Sequence, residues 1–168
     1  MPAPEPVKAL IALGSNMGNS RLILQEAFER LQELSARPIV RSSLWRSAPV
    51  DCPPGSPDFL NAAAAIFPVP NRTPEQLLGE LKSIETAYGR KPKEVMNEPR
   101  PLDLDLIAFG DEVRTSASLT LPHPRTCERS FVLLPLSEIV PELILPGQTF
   151  PISQLVARFA KLQRVTRV

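Results

Sequence analysis

The chain has 168 residues, of which 43% are hydrophobic and 22% charged, values typical of a globular domain rather than of a disordered chain. Its 19 Lys and Arg residues nearly balance 18 Asp and Glu residues, for a net charge of +1, which argues against nucleic-acid or membrane binding through bulk charge. No segment approaches the roughly 18 apolar residues of a membrane span, and the Pro-rich start lacks the pattern of a signal peptide. We therefore expect one cytoplasmic domain over residues 1–168, with residues 1–6 as a flexible tail.

The first part of the chain predicts three strands and one helix. Residues 7–13 are apolar and stop at Gly14, a pattern typical of a buried strand. Residues 39–48 and 59–69 predict two further strands. Residues 20–36 predict a helix, because the following apolar residues share one helical face: Ile23, Ala27, Leu31 and Leu34.

A second helix has a clear start signal in the middle of the chain. Thr73 is a good N-cap, Pro74 suits the first helical position, and Gln76 completes a capping box. Gly89 is the expected residue just beyond the end of this helix.

The last part of the chain adds a fourth strand and two short helices. Residues 101–109 alternate between apolar and polar, and a turn then leads toward a strand near residues 113–121. Short helices are expected around residues 128–139 and 153–162. The order strand, helix, strand, strand, helix, strand is that of a split β-α-β unit. We therefore predict an α+β, ferredoxin-like sandwich, with a mainly antiparallel sheet, two helices on one face and extra C-terminal helices.

Two carboxylates in the fourth strand are the most informative feature. Asp103 and Asp105 alternate with three leucines, so both should point away from the core, with Cα atoms roughly 6–7 Å apart. Such a pair can hold one or two Mg²⁺ ions with phosphate oxygens and water. The alternative is an ordinary exposed strand face with two solvated carboxylates.

Basic residues surround this pair along the sequence, and Arg in particular suits bidentate contacts with phosphate. They are Arg90, Lys91, Lys93, Arg100, Arg125 and Arg129. The only histidine, His123, stands between two prolines, which favours a phosphate contact over a general acid or base. A solvated basic face and a structural histidine are the alternatives.

Phe59 and Asn61 should share one face of the third strand. An aromatic ring that stacks on a flat heterocycle, with an amide at its edge, makes a reasonable binding pocket. A core phenylalanine beside a hydrogen-bonded asparagine is the alternative.

Taken together, these segments closely resemble the 6-hydroxymethyl-7,8-dihydropterin pyrophosphokinase family of folate biosynthesis, over roughly residues 7–150. The matching segments, in order, are Ala12-Leu13-Gly14-Ser15-Asn16, Phe59-Leu60-Asn61-Ala62, Glu85 with Gly89-Arg90, Pro99-Arg100-Pro101-Leu102-Asp103-Leu104-Asp105, Pro122-His123-Pro124-Arg125, and Arg129 with Phe131. The sequence differs from the family pattern at Ser56, Pro92 and Asn97-Glu98.

The resemblance implies an ATP- and Mg²⁺-dependent enzyme that transfers pyrophosphate from ATP to the pterin and releases AMP. It implies two Mg²⁺ ions held by Asp103 and Asp105, which with Arg90 and Arg100 would be the catalytic residues. The implied ATP contacts are Arg90, Lys93, Arg100, Leu106, Thr120, His123 and Arg129. The implied pterin contacts are Ser47, Ala48, Val50, Phe59, Asn61 and Phe131. Family members are usually monomers, so the expected partners are these small molecules alone.

Two other functions stay open on the sequence. A carboxylate pair on a ferredoxin-like sheet also serves other Mg²⁺-dependent nucleotidyl or phosphoryl transferases. A non-catalytic nucleotide-binding domain is the second alternative, and it predicts that function survives the loss of Asp103.

Overall fold

The computed structural model describes residues 6–49, 53–89, 101–159 and 165–168. The strands are β1 (Ala9–Ser15), β2 (Val40–Arg41), β3 (Trp45–Ser47), β4 (Phe59–Ile66), β5 (Asp103–Phe109), β6 (Arg114–Thr115), β7 (Thr120–Leu121) and β8 (Val165–Arg167). The helices are α1 (Ser20–Glu33), α2 (Pro74–Ala87), α3 (Ser130–Ile139) and α4 (Ile152–Phe159), with a short 3-10 helix at Thr126–Glu128. Among the described residues, no helix combines the length and apolar composition that crossing a bilayer requires.

The main sheet has the strand order β5-β1-β4-β3-β8, and β2 also pairs with β4. All its pairings are antiparallel, so the predicted mainly antiparallel α+β fold is confirmed. Strand β1 lies between β4 and β5, and all seven of its residues are buried. A central strand this apolar needs cover on both faces of the sheet.

The helices supply that cover from both sides. Ile11 and Leu13 of β1 pack in one core with apolar residues of α1 and α2. Leu10 and Ala12 pack in a second core with apolar residues of α3 and α4. The two helices predicted for one face are α1 and α2, and the predicted C-terminal helices form a third layer on the other face, a position that the sequence did not specify.

The predicted start and end of α2 are confirmed. The Oγ1 atom of Thr73 accepts a hydrogen bond from the backbone N–H of Gln76 at 3.1 Å, and the Gln76 side chain accepts one from Thr73 N–H at 2.9 Å. Gly89 follows the helix with a positive φ of 85°, a conformation in which glycine avoids steric cost.

One predicted strand, over residues 39–48, is divided into β2 and β3. Ser42 lies between them, and its Oγ atom accepts a hydrogen bond from the backbone N–H of Ala63 at 2.8 Å. A side chain thus takes the place of a backbone carbonyl in the ladder, which interrupts regular pairing at this point.

Two further differences concern strands. The strand predicted near residues 113–121 is a small two-stranded hairpin, in which β6 and β7 pair with each other. Strand β8 was not predicted at all, and it pairs with β3 through Trp45 and Arg167. Val165 and Thr166 favour a strand, but a run of three residues is too short to predict one, and its partner strand lies far away in the sequence.

Candidate functional site

The register of the central strands aligns candidate site residues across one face of the sheet. Asn61 of β4 pairs with Gly14 of β1, and Gly14 pairs with Asp103 of β5. Ala12 pairs with Asp105 in the next row. Paired residues, and residues two apart on a strand, point to the same face. Because Ala12 is buried against α3 and α4, Asn61, Asp103 and Asp105 point toward that helical layer.

Small residues of β1 separate the amide from the carboxylates. A Cβ atom at Gly14 would lie 3.7 Å from both the Oδ1 atom of Asn61 and the Cδ1 atom of Phe59. The surface between Phe59, Asn61 and Asp103 is therefore backbone, without a side chain in the way. A flat ligand can approach this part of the sheet closely and still reach groups on both neighbouring strands.

The carboxylate pair has the geometry that strand alternation predicts. Leu102, Leu104 and Leu106 are buried in the core beneath α1 and α2, whereas Asp103 and Asp105 are half-buried on the other side. The alternation is confirmed. The Leu106 side chain lies on the face opposite the carboxylates, so it cannot contact a nucleotide bound beside them. Only the backbone of Leu106 is available to such a ligand.

A buried glutamate of α2 fixes the backbone between the two aspartates. The Oε2 atom of Glu85 accepts a hydrogen bond from the N–H of Leu104 at 2.8 Å, and Glu85 is only 8% exposed. Strand β5 ends the strand order, so this N–H points away from β1 and needs another acceptor. Glu85 had no predicted role, although a glutamate on the apolar face of α2, four residues after Leu81, was a usable signal.

His123 lies beside the carboxylates and has a defined tautomer. Its backbone N–H donates to the carbonyl of Ile107 on β5 at 2.8 Å, which fixes the loop to the strand. Its Nδ1 atom accepts a hydrogen bond from the backbone N–H of Arg125 at 3.4 Å, so the ring proton of neutral His123 is on Nε2. Burial lowers the pKa of His123, as does the charge of Arg129, while Asp103 opposes the shift. At neutral pH the ring therefore offers an uncharged N–H donor.

Arg129 lies at the N-terminus of α3 and faces both aspartates. Burial lowers its pKa, followed by the charge of Arg125, and the charges of Asp105 and Asp103 oppose the shift. Arginine nevertheless stays protonated in proteins. The guanidinium carbon lies 5.5 Å from the ring centre of Phe131. A fixed cation, two carboxylates and an aromatic ring therefore meet on this face.

Two of the predicted pterin contacts, Ser47 and Phe59, lie close to the Asn61 amide. The Nδ2 atom of Asn61 donates to the Oγ of Ser47 at 2.8 Å and to the carbonyl of Trp45 at 3.4 Å. These bonds orient Oδ1 toward Gly14. Phe59 precedes Asn61 on the same strand face and is half-buried, and Phe131 is half-buried on α3.

The remaining predicted residues divide into two groups. Ala48 is exposed just after β3, and Thr120 is exposed on β7. The predictions for Val50, Arg90, Lys93 and Arg100 concern residues outside the described ranges.

The donors on this face fit magnesium. Within the described ranges, no three His, Cys, Asp or Glu side chains converge as a complete protein-made metal site. Mg²⁺ prefers oxygen ligands and is commonly held by one or two carboxylates, with water and substrate phosphate completing its shell. Asp103 and Asp105 provide that carboxylate set, on a face that also offers Arg129 for a phosphate.

We predict a pH-dependent contribution of His123 to the stability of the ligand-free protein. Its folded pKa lies below the ordinary value of about 6.5 because of burial and Arg129. The unfolded chain therefore binds the proton more readily, and stability should be lost as the pH falls from about 6.5 through the lowered folded pKa. Thermal unfolding should show a larger loss between pH 7.5 and 5 for the wild type than for His123→Gln. Equal losses in both proteins would contradict the prediction.

Sequence comparisons identify relatives over most of the chain. The family model described as 7,8-dihydro-6-hydroxymethylpterin-pyrophosphokinase matches residues 10–141. A relative from Haemophilus influenzae, named 2-amino-4-hydroxy-6-hydroxymethyldihydropteridine pyrophosphokinase, is 38% identical over 155 residues, or 92% of this chain and 94% of the relative. A relative of the same name from Methylorubrum extorquens is 41% identical over 146 residues, or 84% of this chain and 88% of the relative.

Solved structures share the fold at lower identity. A wild-type Plasmodium falciparum HPPK-DHPS chain with pteroate has a TM-score of 0.71 and 15% sequence identity to this chain. The matched region covers 94% of this chain and 43% of that chain, so this chain spans less than half the length of that protein. At this identity the likeness concerns the fold alone.

Proposed function

Because the chain belongs to the 7,8-dihydro-6-hydroxymethylpterin-pyrophosphokinase family, we propose that the sheet face bearing Asn61, Asp103 and Asp105 is its active site. The enzyme transfers pyrophosphate from ATP to 6-hydroxymethyl-7,8-dihydropterin in folate biosynthesis, with ATP as co-substrate and Mg²⁺. The observation that carries the site proposal is the row Asn61, Gly14, Asp103. It places the Asn61 amide and the Asp103 carboxylate on the two strands that flank β1, and Gly14 between them has no side chain.

The reaction needs positioning and charge neutralisation more than covalent chemistry from the protein. The hydroxymethyl oxygen of the pterin attacks the β-phosphorus of ATP and loses its proton. The bond from that phosphorus to the oxygen shared with the α-phosphorus breaks, and AMP leaves. The face supplies carboxylates, a guanidinium and an aromatic slot for holding both substrates in line.

Asp103 and Asp105 hold magnesium in this proposal, and we infer two ions. Magnesium held by these carboxylates would supply positive charge against the triphosphate oxygens. The hydrogen bond from Leu104 N–H to Glu85 keeps the backbone between the two carboxylates in place.

Both a cationic and a neutral side chain donate hydrogen bonds to the phosphates in this proposal. Arg129 binds the triphosphate through charge-assisted hydrogen bonds, and His123 adds a neutral Nε2–H donor. A neutral ring suits a site that already contains Arg129, because a second buried cation would raise the repulsion in the ligand-free enzyme. Arg90, Lys93 and Arg100 complete the set as predictions from the sequence, and Thr120 lies near the nucleotide.

The pterin lies between Phe59 and Phe131 in this proposal. Stacking of a flat ring between two aromatic side chains suits the exposed faces of a bicyclic heterocycle. Asn61 Oδ1 accepts a hydrogen bond from the amino edge of the pterin, because Nδ2 is already used by Ser47 and Trp45. Ser47 and Ala48 are proposed contacts of the same edge, and Val50 is a proposed contact on the sequence alone.

We extend the proposal to the protein as a whole. The strand order β5-β1-β4-β3, with a helix after β1 and another after β4, supports a ferredoxin-like core with α3 and α4 added on the second face. The proposed form is a single catalytic domain, monomeric and cytoplasmic.

The nucleotide product tests the function directly. The purified protein is mixed with ATP, Mg²⁺ and the reduced hydroxymethylpterin, and the nucleotides are separated. AMP that appears only when the pterin is present is the expected result. Formation of ADP, or AMP formation that does not depend on the pterin, would overturn the proposal.

A further inference from the structure

A carboxylate of α3 joins that helix to the edge of the sheet at a distance from the substrates. The carboxylate of Glu138 accepts hydrogen bonds from the backbone N–H of Ser43 at 3.3 Å, from the Ser43 hydroxyl at 2.9 Å, and from the indole N–H of Trp45. The guanidinium of Arg167 on β8 lies 3.8 Å from it. We call these four residues, Ser43, Trp45, Glu138 and Arg167, the Glu138 cluster.

The cluster connects the two sides of the proposed pterin slot. Phe131 and Glu138 lie about two turns apart on α3 and thus share one face of the helix. On the sheet side, Trp45 is two residues before Ser47, and the Asn61 amide donates to both of these residues. Glu138 therefore joins the helix that carries Phe131 to the strand that orients Asn61.

Strand β8 holds Trp45 from the opposite side of β3 to β4. Strand β8 pairs with β3, with Arg167 opposite Trp45. The guanidinium of Arg167 also lies 5.7 Å from the centre of the Trp45 ring, within the range of a cation–π contact. Trp45 is thus held by Glu138 through its N–H and by Arg167 over its ring.

We propose that Glu138 is a positioning residue for pterin binding, which acts by fixing Trp45 and β3 against α3. The proposal rests on the proposed function, because it assigns the slot between Phe59, Phe131 and Asn61 to the pterin. The hydrogen bonds and the ion pair of Glu138 go to Ser43, Trp45 and Arg167, so its effect on the slot is indirect. A general structural brace would affect both substrates equally, whereas a positioning residue affects the pterin selectively.

The test compares Michaelis constants in variants of the full chain. Glu138→Ala should raise the KM for the pterin about tenfold, the effect of about 1.4 kcal/mol, and leave the KM for ATP within about twofold. Glu138→Gln keeps one acceptor oxygen, enough for the Trp45 indole N–H and the Ser43 backbone N–H, and its amide N–H can donate to the Ser43 hydroxyl oxygen, so it should recover most of the affinity. Glu142→Ala removes an exposed carboxylate from the segment just after α3 and serves as the matched control, without a change in either KM.

Two milder measurements keep the test decisive if Glu138→Ala folds poorly. Trp45→Phe keeps an aromatic ring but removes the indole N–H together with the five-membered ring, and it should raise the KM for the pterin as Glu138→Ala does. In the other variants Trp45 is the chain's only tryptophan, so its fluorescence can report pterin binding without turnover, and Glu138→Gln should bind nearly as the wild type does. An unchanged pterin KM in folded Glu138→Ala or Trp45→Phe would overturn the inference, as would equal increases in both KM values. Failure of the wild type to form AMP would instead overturn the proposed function.

Discussion

Asp103→Asn and Asp105→Asn should each lower kcat by about a thousandfold or more, the scale expected when a metal-held charge is lost from a transition state. Asparagine keeps the size of aspartate and the backbone of β5, so the folded state should be retained. The amide oxygen is uncharged and holds Mg²⁺ poorly. The loss should therefore be in turnover rather than in folding.

The assay measures steady-state AMP formation at saturating ATP, Mg²⁺ and pterin, with thermal unfolding recorded on the same samples. Asp111→Asn is the matched control, because Asp111 is exposed in the turn after β5 and away from the proposed metal. It should have wild-type turnover. A folded Asp103→Asn or Asp105→Asn variant with near wild-type kcat would refute the assignment of the carboxylates to the metal.

Asn61→Ala should raise the KM for the pterin about a hundredfold, since a site that binds through hydrogen bonds loses affinity steeply when a buried partner is removed. Asn61 is 3% exposed, so solvent cannot easily replace its amide. The variant also leaves the Ser47 hydroxyl without this donor. The KM for ATP should change little, because the triphosphate groups lie on the side of Asp103.

Ser47→Ala gives a graded comparison for the same contact. The Asn61 amide then loses its closest acceptor but keeps the carbonyl of Trp45, so a smaller rise in pterin KM is expected. Initial rates at varied pterin and fixed saturating ATP provide both values. A larger effect of Ser47→Ala than of Asn61→Ala would contradict the assignment of the amide to the substrate edge.

Local signals in the sequence predicted the parts of the fold that depend on neighbours along the chain. The cap of α2 needs only Thr73, Pro74 and Gln76, which lie within one turn. The separation of Asp103 and Asp105 from the core needs only the alternation of a strand. Both features were confirmed because each is determined by residues that are close together in the sequence.

Features that depend on distant pairing could not be predicted in the same way. Strand β8 pairs with β3, with Arg167 opposite Trp45. Its three residues are too few to predict a strand, although Val and Thr favour one. Cover by helices on both faces follows from the all-buried β1, but the sequence does not say which helices cover which face. Charges of Arg129 and Asp103 act on His123 because α3 folds back over the sheet, and only the family resemblance suggested this.

The most direct test of the site is a crystal structure of the protein with Mg²⁺, a non-hydrolysable ATP analogue and the pterin. It should show oxygens of Asp103 and Asp105 about 2.1 Å from magnesium, the pterin between Phe59 and Phe131, and Asn61 Oδ1 at its amino edge. A pterin bound elsewhere, or magnesium without contact to either aspartate, would contradict the account.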